Sequence, residues 1–528
     1  MVHRNFVMRL VGLFGLLILL TDLTASQAAL SAGDNSCSTD HLKNSEACNT
    51  LQGFGSNVAL DNATGVTIAG GGEIDLPNRV TGNFGSVGGG IDNQAGAQAV
   101  VAGGSDNNAE GYRTSVGGGS SNHAITAYST IAGGTNNTTS AIHATIGGGS
   151  DNTASARDAT IAGGSGNIAS FTGATVGGGG YNTADSLQAT VGGGGHNAAI
   201  GTYSTVSGGS GNRARALDTA IGGGSGNSAS ADEATISGGL ANRATAKFST
   251  VGGGSQNLAG SADDASLDGR YATVGGGQNN TASGSFSTIP GGSFNRADGA
   301  FSFAAGRRAR VDPAHPGTFN FADSNDSDFT SLAPNEFAVR ATGGVRFVTG
   351  IDAAGNPIAS VRIAKGSGAW EFQSDASAKA HLNPVDGREI LRELSQIPIS
   401  TWNYKTEDSS VRHIGPMAQD LAIMGVGEDS HYINMVDANG IALAAIQGLD
   451  QIVRQEIDSR DAQIAELKAE NAAQQSQLSA LALRVSELEQ KTKSSDALSP
   501  SGLTGGNLLF AGLGLIGLVK AIYAHPRR

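Results

Sequence analysis

Side chains able to do chemistry are unevenly spread along these 528 residues. Most of the chain is Gly, Ser, Thr, Ala and Asn, but from Ser374 onward Trp, Leu, Ile and charged residues return and glycine thins out. Five motifs follow in order: Ser374-Asp375-Ala376-Ser377-Ala378-Lys379; Pro384-Val385-Asp386 with Ile390-Leu391-Arg392-Glu393-Leu394; Trp402-Asn403-Tyr404-Lys405; His413-Ile414-Gly415-Pro416-Met417-Ala418-Gln419-Asp420; and Val436-Asp437-Ala438-Asn439-Gly440-Ile441-Ala442. Other chemistry is excluded by pattern. No Cys/His cluster has zinc spacing, and the glycines lack a P-loop or dinucleotide context. Asp recurs irregularly, without the nine-residue period of calcium-binding coils. No cofactor and no metal is expected.

Together the five motifs resemble the C-terminal intramolecular chaperone domain of phage endosialidase tail spikes, a self-cleaving serine peptidase family, over about residues 370–460. The resemblance implies a domain that trimerises, templates the β-structured fibre before it, and then cuts itself off. It further implies that Ser374 is the nucleophile, Lys379 the general base, and Gln373–Ser374 the bond that is cut. A lysine can take a proton from serine only where desolvation or neighbouring charge lowers its pKa toward neutrality, and trimer assembly would supply that burial. The family's usual Arg and Leu before the lysine are replaced here by Ser377 and Ala378. His413 is read as a structural residue on a strand, and Trp402 and Tyr404 as core.

What carries this segment is a long repeat. A β-branched residue recurs every 15 positions from Val101 to Val251, followed by Gly-Gly and then, six places on, by Asn (Asn107, Asn122, Asn137 and onward). After an eight-residue insertion the pattern resumes at Val274 and Ile289. A period this short means one small unit copied along an axis. Fifteen residues are too few for a helix pair, and the block is poor in helix formers. Each unit therefore reads as one coil of a parallel β-solenoid, with a short strand such as Ala-Thr-Ile and an Asn-containing turn. Thirteen coils at ~4.8 Å each make a rod on the order of 60 Å. The β-branched column is the expected core, and the small column at Ala109, Ala124 and Ala154 is expected to let the chain turn. With only 5% aromatic residues and 80 glycines, each coil buries little, so side-by-side association of rods is expected to supply the missing interior. Units such as Thr205-Val206-Ser207-Gly208-Gly209-Ser210-Gly211-Asn212-Arg213-Ala214 resemble the head repeats of trimeric autotransporter adhesins of the YadA type, over roughly residues 86–310. That resemblance implies trimeric β-rolls that bind a surface ligand.

After the chaperone-like segment, a seam alternates steps of four and three: Val453, Ile457, Arg460, Ile464, Leu467, Asn471, Gln474, Leu478, Leu481, Val485, Leu488. This predicts a left-handed coiled coil of two or three strands. The alternative is a single amphipathic helix lying on the chaperone core. At the N-terminus, Arg4, Arg9, the apolar run Leu10–Leu20 and Ser26-Gln27-Ala28 read as a signal peptide, the alternative being an uncleaved anchor. In an exported chain Cys37 and Cys48 are expected to form a disulfide, the alternative being two free thiols. Near the C-terminus an apolar stretch ends in Arg527-Arg528 and reads as a membrane span or a sorting helix.

The expected class is mainly β: a parallel β-solenoid or β-roll head, a small α+β chaperone domain, a C-terminal coiled coil and a transmembrane helix, assembled as a homotrimer. The expected divisions are a signal peptide (1–28), an N-terminal segment (29–85), the head (86–310), a β connector (311–370), the chaperone and autopeptidase domain (371–450), the coiled coil (451–490), a linker (491–502) and the span (503–524). A net charge of −13 without a basic stripe argues against nucleic acid as a partner. The leading expectation is an exported fibrous protein of a bacterial cell surface or membrane, with self and an unidentified surface ligand as partners. The alternatives are a phage-type tail fibre, against which the apolar ends argue, and an ice- or mineral-facing solenoid, suggested by the threonine column Thr130, Thr145, Thr160.

Overall fold

The computed structural model describes residues 49–60, 62–261, 269–427 and 429–495. The segments expected as signal peptide and membrane span, and Cys37 and Cys48, lie outside the described residues. Among the described residues, no helix is long and apolar enough to cross a membrane. The chain forms two compact units: one runs to Val345 and includes Lys365–Ser367, the other comprises Arg346–Ala364 and everything from Gly368.

The first unit is a parallel β-solenoid. Each coil contributes one strand to a nineteen-stranded ladder and another to a second parallel ladder. Between them, single bridges such as Ser120↔Thr135 and Thr135↔Ser150 form a third line of pairing. Register is fixed by identity: Thr130 pairs with Thr145 and Ile131 with Ile146, then Thr145 with Thr160 and Ile146 with Ile161. Alternation along each two-residue strand turns threonine outward and isoleucine inward, and Ile131, Ile146 and Ile161 have no exposed surface.

Two expectations about the coil are corrected. The alanine column does not form the turn. Asn108–Ala109, His123–Ala124 and Thr153–Ala154 are the second strand of each coil, and these alanines are fully buried opposite the β-branched column. The small side chain is needed because the second strand faces a narrow interior. Nor does the Asn column supply the positive φ of the turn expected there. Asn137 is fully buried; its Nδ2 donates to Asn122 Oδ1 at 3.0 Å, to Gly133 O at 3.1 Å and to Gly149 O at 2.9 Å. Its Oδ1 accepts from the backbone N of Asn152 at 3.1 Å. An amide has both donors and acceptors, so one residue type satisfies itself when stacked. Positive φ falls instead on the residue before each Asn, as at Asp106, Ser121 and Asn136.

The interior expected from association of several chains is therefore built by one. With the β-branched, Ala and Asn columns all closed to water, low apolar content is compensated by hydrogen-bonded stacking. Low payload is no reason for oligomerisation here.

The stack also outruns the 86–310 span. Thr50–Leu51 already pairs with Thr67–Ile68, and the ladder continues through Phe319–Ala322 to Phe337–Arg340. Where the 15-residue period is lost, backbone pairing persists in longer coils, because a ladder needs only equal register and not equal turns. This last part is tied by ion pairs. Asp323 accepts from Arg340 Nε at 2.9 Å and from Thr342 through both backbone and hydroxyl. The Thr342 bonds hold its carboxyl far below the usual carboxylate range. Arg308 and Arg310 pair with Asp328.

In the second unit, Gly344–Ile351, Pro357–Ala364 and Trp370–Phe372 form a three-stranded sheet. A short helix, Gly387–Leu394, starts on Asp386, whose side chain accepts from Arg388 N. It crosses the long helix Met435–Ser495 at two glycines: a Cβ on Gly448 would stand 2.1 Å from Gly387 O. The small buried cluster is Ile397, Leu421 and Ile441, flanked by Ile390, Leu394, Met424 and Ile433. The expected division between 371–450 and 451–490 is not a break. One 61-residue helix supplies Ile441 to this small cluster, then carries the heptad seam onward bare.

Candidate functional site

The residues bearing on the expected cleavage lie where the three-stranded sheet ends. Glu371 pairs with Arg362 and Phe372 with Val361 in antiparallel register. The last rung is Gln373 N donating to Ser360 O at 3.1 Å. Beyond it the Gln373 side chain is also held: Ser360 Oγ donates to its Oε1 at 2.7 Å, and its Nε2 donates to Pro357 O at 3.2 Å. Gln373 is thus gripped through backbone and side chain by one strand.

Immediately after Ser374 the chain turns. Asp375 caps the short 3₁₀ turn Ala376–Ala378, its Oδ1 accepting from Ser377 N at 2.7 Å and from Ser377 Oγ at 2.7 Å. These bonds favour the charged carboxylate and hold its pKa below the usual range. The turn closes with Lys379 N donating to Ala376 O, and this brings Lys379 back over Ser374. Lys379 Nζ donates to Ser374 Oγ at 2.7 Å. The Gln373–Ser374 peptide therefore joins two anchored segments, one fixed by the sheet and the other by the Asp375 cap.

The two side chains named from the sequence are together, and both are exposed in the single chain. An open groove of about 430 Å³ borders them, lined by Thr349, Ile358, Phe372, Lys379, Asn434 and Val436 among others. Sequence reasoning missed Ser360 and the role of Ser377. Ser360 is thirteen positions from Gln373 and meets it only through strand pairing, so nothing local betrays it. Ser377 could have been found as the partner of an Asp two residues earlier, a common capping pattern.

The other named residues are elsewhere. His413, on the strand His413–Gly415, has Nε2 3.0 Å from Glu407 Oε2 and packs against Trp402 with ring centroids 4.7 Å apart. Trp402 is half-buried and Tyr404 exposed, so Tyr404 departs from the core position expected of it: it lies edge-on over Trp402 at the surface. Among the described residues, no group of three or more His, Cys, Asp or Glu side chains could hold a metal.

Residues 374–424 match the family described as chaperone of endosialidase. The match begins at Ser374 itself and ends within the helical turn Ala422–Met424. No curated protein matches the chain.

Proposed function

We propose that this chain is a self-assembling fibre of the tail-fibre type, in which the segment from Ser374 trimerises, templates the solenoid and cuts the Gln373–Ser374 bond. The observation that carries the proposal is the 2.7 Å contact of Lys379 Nζ with Ser374 Oγ, located where the family match starts. Each rung of the solenoid pairs with its neighbour of the next coil, as Thr130 does with Thr145, so a first coil of glycine-rich backbone has nothing to pair with until a second forms. A downstream domain that aligns the chains would supply a template.

The chemistry follows from a nucleophile that belongs to the bond it attacks. Lys379, as a neutral amine, takes the proton of Ser374 Oγ while Oγ adds to the Gln373 carbonyl carbon, closing a five-membered ring. The C–N bond breaks, Lys379 returns the proton to the Ser374 nitrogen, and an ester joins Gln373 to Ser374 Oγ. Water hydrolyses that ester, leaving a Gln373 carboxylate and a free Ser374 with its amine and hydroxyl. In the single chain Lys379 is exposed and its Nζ donates to Ser374 Oγ. Burial by neighbouring chains would disfavour the ammonium form, which makes the cut a report of assembly.

Mass spectrometry of the expressed full chain tests this. The expected products end at Gln373 and begin at Ser374, and Ser374→Ala yields only intact chain. Intact wild-type chain, or unaltered cleavage in Ser374→Ala, overturns the proposal. An exported location and a ligand for the solenoid are further elements of the proposal, resting on the apolar ends and on the repeat; fractionation of cells with and without residues 1–28 tests the first.

A further inference from the structure

The segment that leads into the Gln373–Ser374 bond is an edge strand. In the three-stranded sheet Pro357–Ala364 lies in the middle, so Trp370–Phe372 pairs on one side only. Its rungs alternate in chemistry. Phe372 stands opposite Val361 and Trp370 opposite Ile363, which puts apolar side chains on one face. On the other face Arg362 Nε donates to Glu371 Oε2 at 2.8 Å, and one rung nearer the cut Ser360 meets Gln373. An extended peptide held at a sheet edge is recognised in this way: backbone bonds give the hold and alternate side chains the selectivity. The Gln373 amide is matched at both ends, its Oε1 accepting from Ser360 Oγ at 2.7 Å and its Nε2 donating to Pro357 O at 3.2 Å. A planar group with an acceptor and a donor at this reach is glutamine's own. Ionised glutamate has acceptors only, methionine of like length offers no donor, and asparagine is one methylene shorter.

We propose that the strand Pro357–Ala364 is the recognition element of the self-cleavage, selecting glutamine at the residue before the cut. Ser360 and Gln373 are a positioning pair, and the Arg362–Glu371 ion pair holds the register that brings them together. The proposal rests on the self-cleavage reading above. Attack by Ser374 Oγ requires the Gln373 carbonyl to keep one direction while the chain beyond it turns. The backbone bond to Ser360 O fixes the Gln373 nitrogen. Rotation about the next bond, N–Cα, swings the side chain and the carbonyl together, so tethering the side chain also stops the carbonyl from swinging. One torsion is then left free on the acyl side of the bond, and the entropy of aligning it with the nucleophile is paid in advance. The recognising strand and Gln373 stay on one side of the cut, and Ser374 and Lys379 on the other, so the selection operates once in each chain.

Time courses of the full chain made by cell-free synthesis test the selection, with products read by mass spectrometry and assembly by light scattering. Gln373→Glu keeps the length and the acceptor for Ser360 Oγ but sets a carboxylate oxygen against Pro357 O. Gln373→Met keeps the length and loses both bonds. Each is expected to be cut at least about tenfold more slowly than the native chain, with the trimer mass unchanged. A native rate in Gln373→Glu, which a role in size or packing alone would give, overturns the selection. So does loss of the trimer in both variants, which would place Gln373 in assembly. Ser360→Ala combined with Gln373→Met is expected to be no slower than Gln373→Met alone, because the shared bond is already gone. Slowing by the product of the two single effects overturns the pairing. Arg362→Glu and Glu371→Arg are each expected to slow the cut about threefold, and the double swap to restore it; a swap as slow as the singles overturns the register role. A native chain that stays intact overturns the cleavage reading and the selection together, whereas a cut native chain with equally cut variants overturns the selection alone.

Discussion

Ile131, Ile146 and Ile161 of the solenoid have no surface left for water in a single chain, whereas Ile464, Leu467 and Leu478 of the long helix stand about half exposed or more. The two regions also differ in polar groups. In the solenoid the stacked Asn column is satisfied by its neighbours, as at Asn137. Among the described residues of the C-terminal unit the buried cluster is Ile397, Leu421 and Ile441, and Trp370, Phe372 and Ile358 remain open on the sheet beside Gln373. The difference lies in what one chain completes by itself. The solenoid is closed by its own coils, while the unit that follows it leaves its seam open. Sequence composition points the other way, toward the glycine-rich region as the one that needs help.

This contrast can be broken at its strongest point. Replacing Ile464 and Leu467 by Asp puts charges in the bare seam and, if the C-terminal unit is what joins the chains, converts the assembly wholly to monomers in light scattering. Cleavage at Ser374 is lost with it. Retention of a trimer would move the assembly determinant into the solenoid. A smaller but still large effect is expected inside one coil. Gly134 has φ +97°, and a Cβ there would lie 2.1 Å from Gly149 O. Gly134→Ala should cost about 3 kcal/mol or more. Gly133→Ala, whose nearest neighbour would be Gly118 O at 3.8 Å, should stay within about 1 kcal/mol. Denaturation of the two variants measures the difference, and equal cost would show that coils do not depend on backbone contact. The smallest effect sharpens the boundary between the regions. Ser360→Ala removes the bond to Gln373 Oε1 and should slow cleavage about tenfold, the equivalent of one hydrogen bond of ~1.4 kcal/mol. Ser360→Thr should restore the rate, and trimer mass should not change in either variant. An unchanged rate in Ser360→Ala would mean that backbone pairing alone positions the bond.

Much of this was legible from residue order. The 15-residue column of Val and Ile predicts stacked parallel coils, and the structure has them. The seam from Val453 to Leu488 predicts a coiled coil, and the structure has a long helix carrying that seam. What misled was reading single columns without their neighbours. Ala109 and Asn107 look like turn residues because small and amide side chains favour turns, yet stacking places one in the core and makes the other a ladder. The coils beyond Val311 were hidden because their periods differ, and backbone hydrogen bonds take no notice of side-chain period.

The chain order alone determined the coil, its axis and the helical seam, because a repeated spacing dictates which identical residues meet. Tertiary structure decided the rest: that Asn amides saturate one another, that Ser360 reaches Gln373 across a sheet, and that Asp375 bends the chain until Lys379 touches Ser374. Those contacts depend on strand pairing and a capped turn, which bring together groups whose separation in sequence carries no periodic signal.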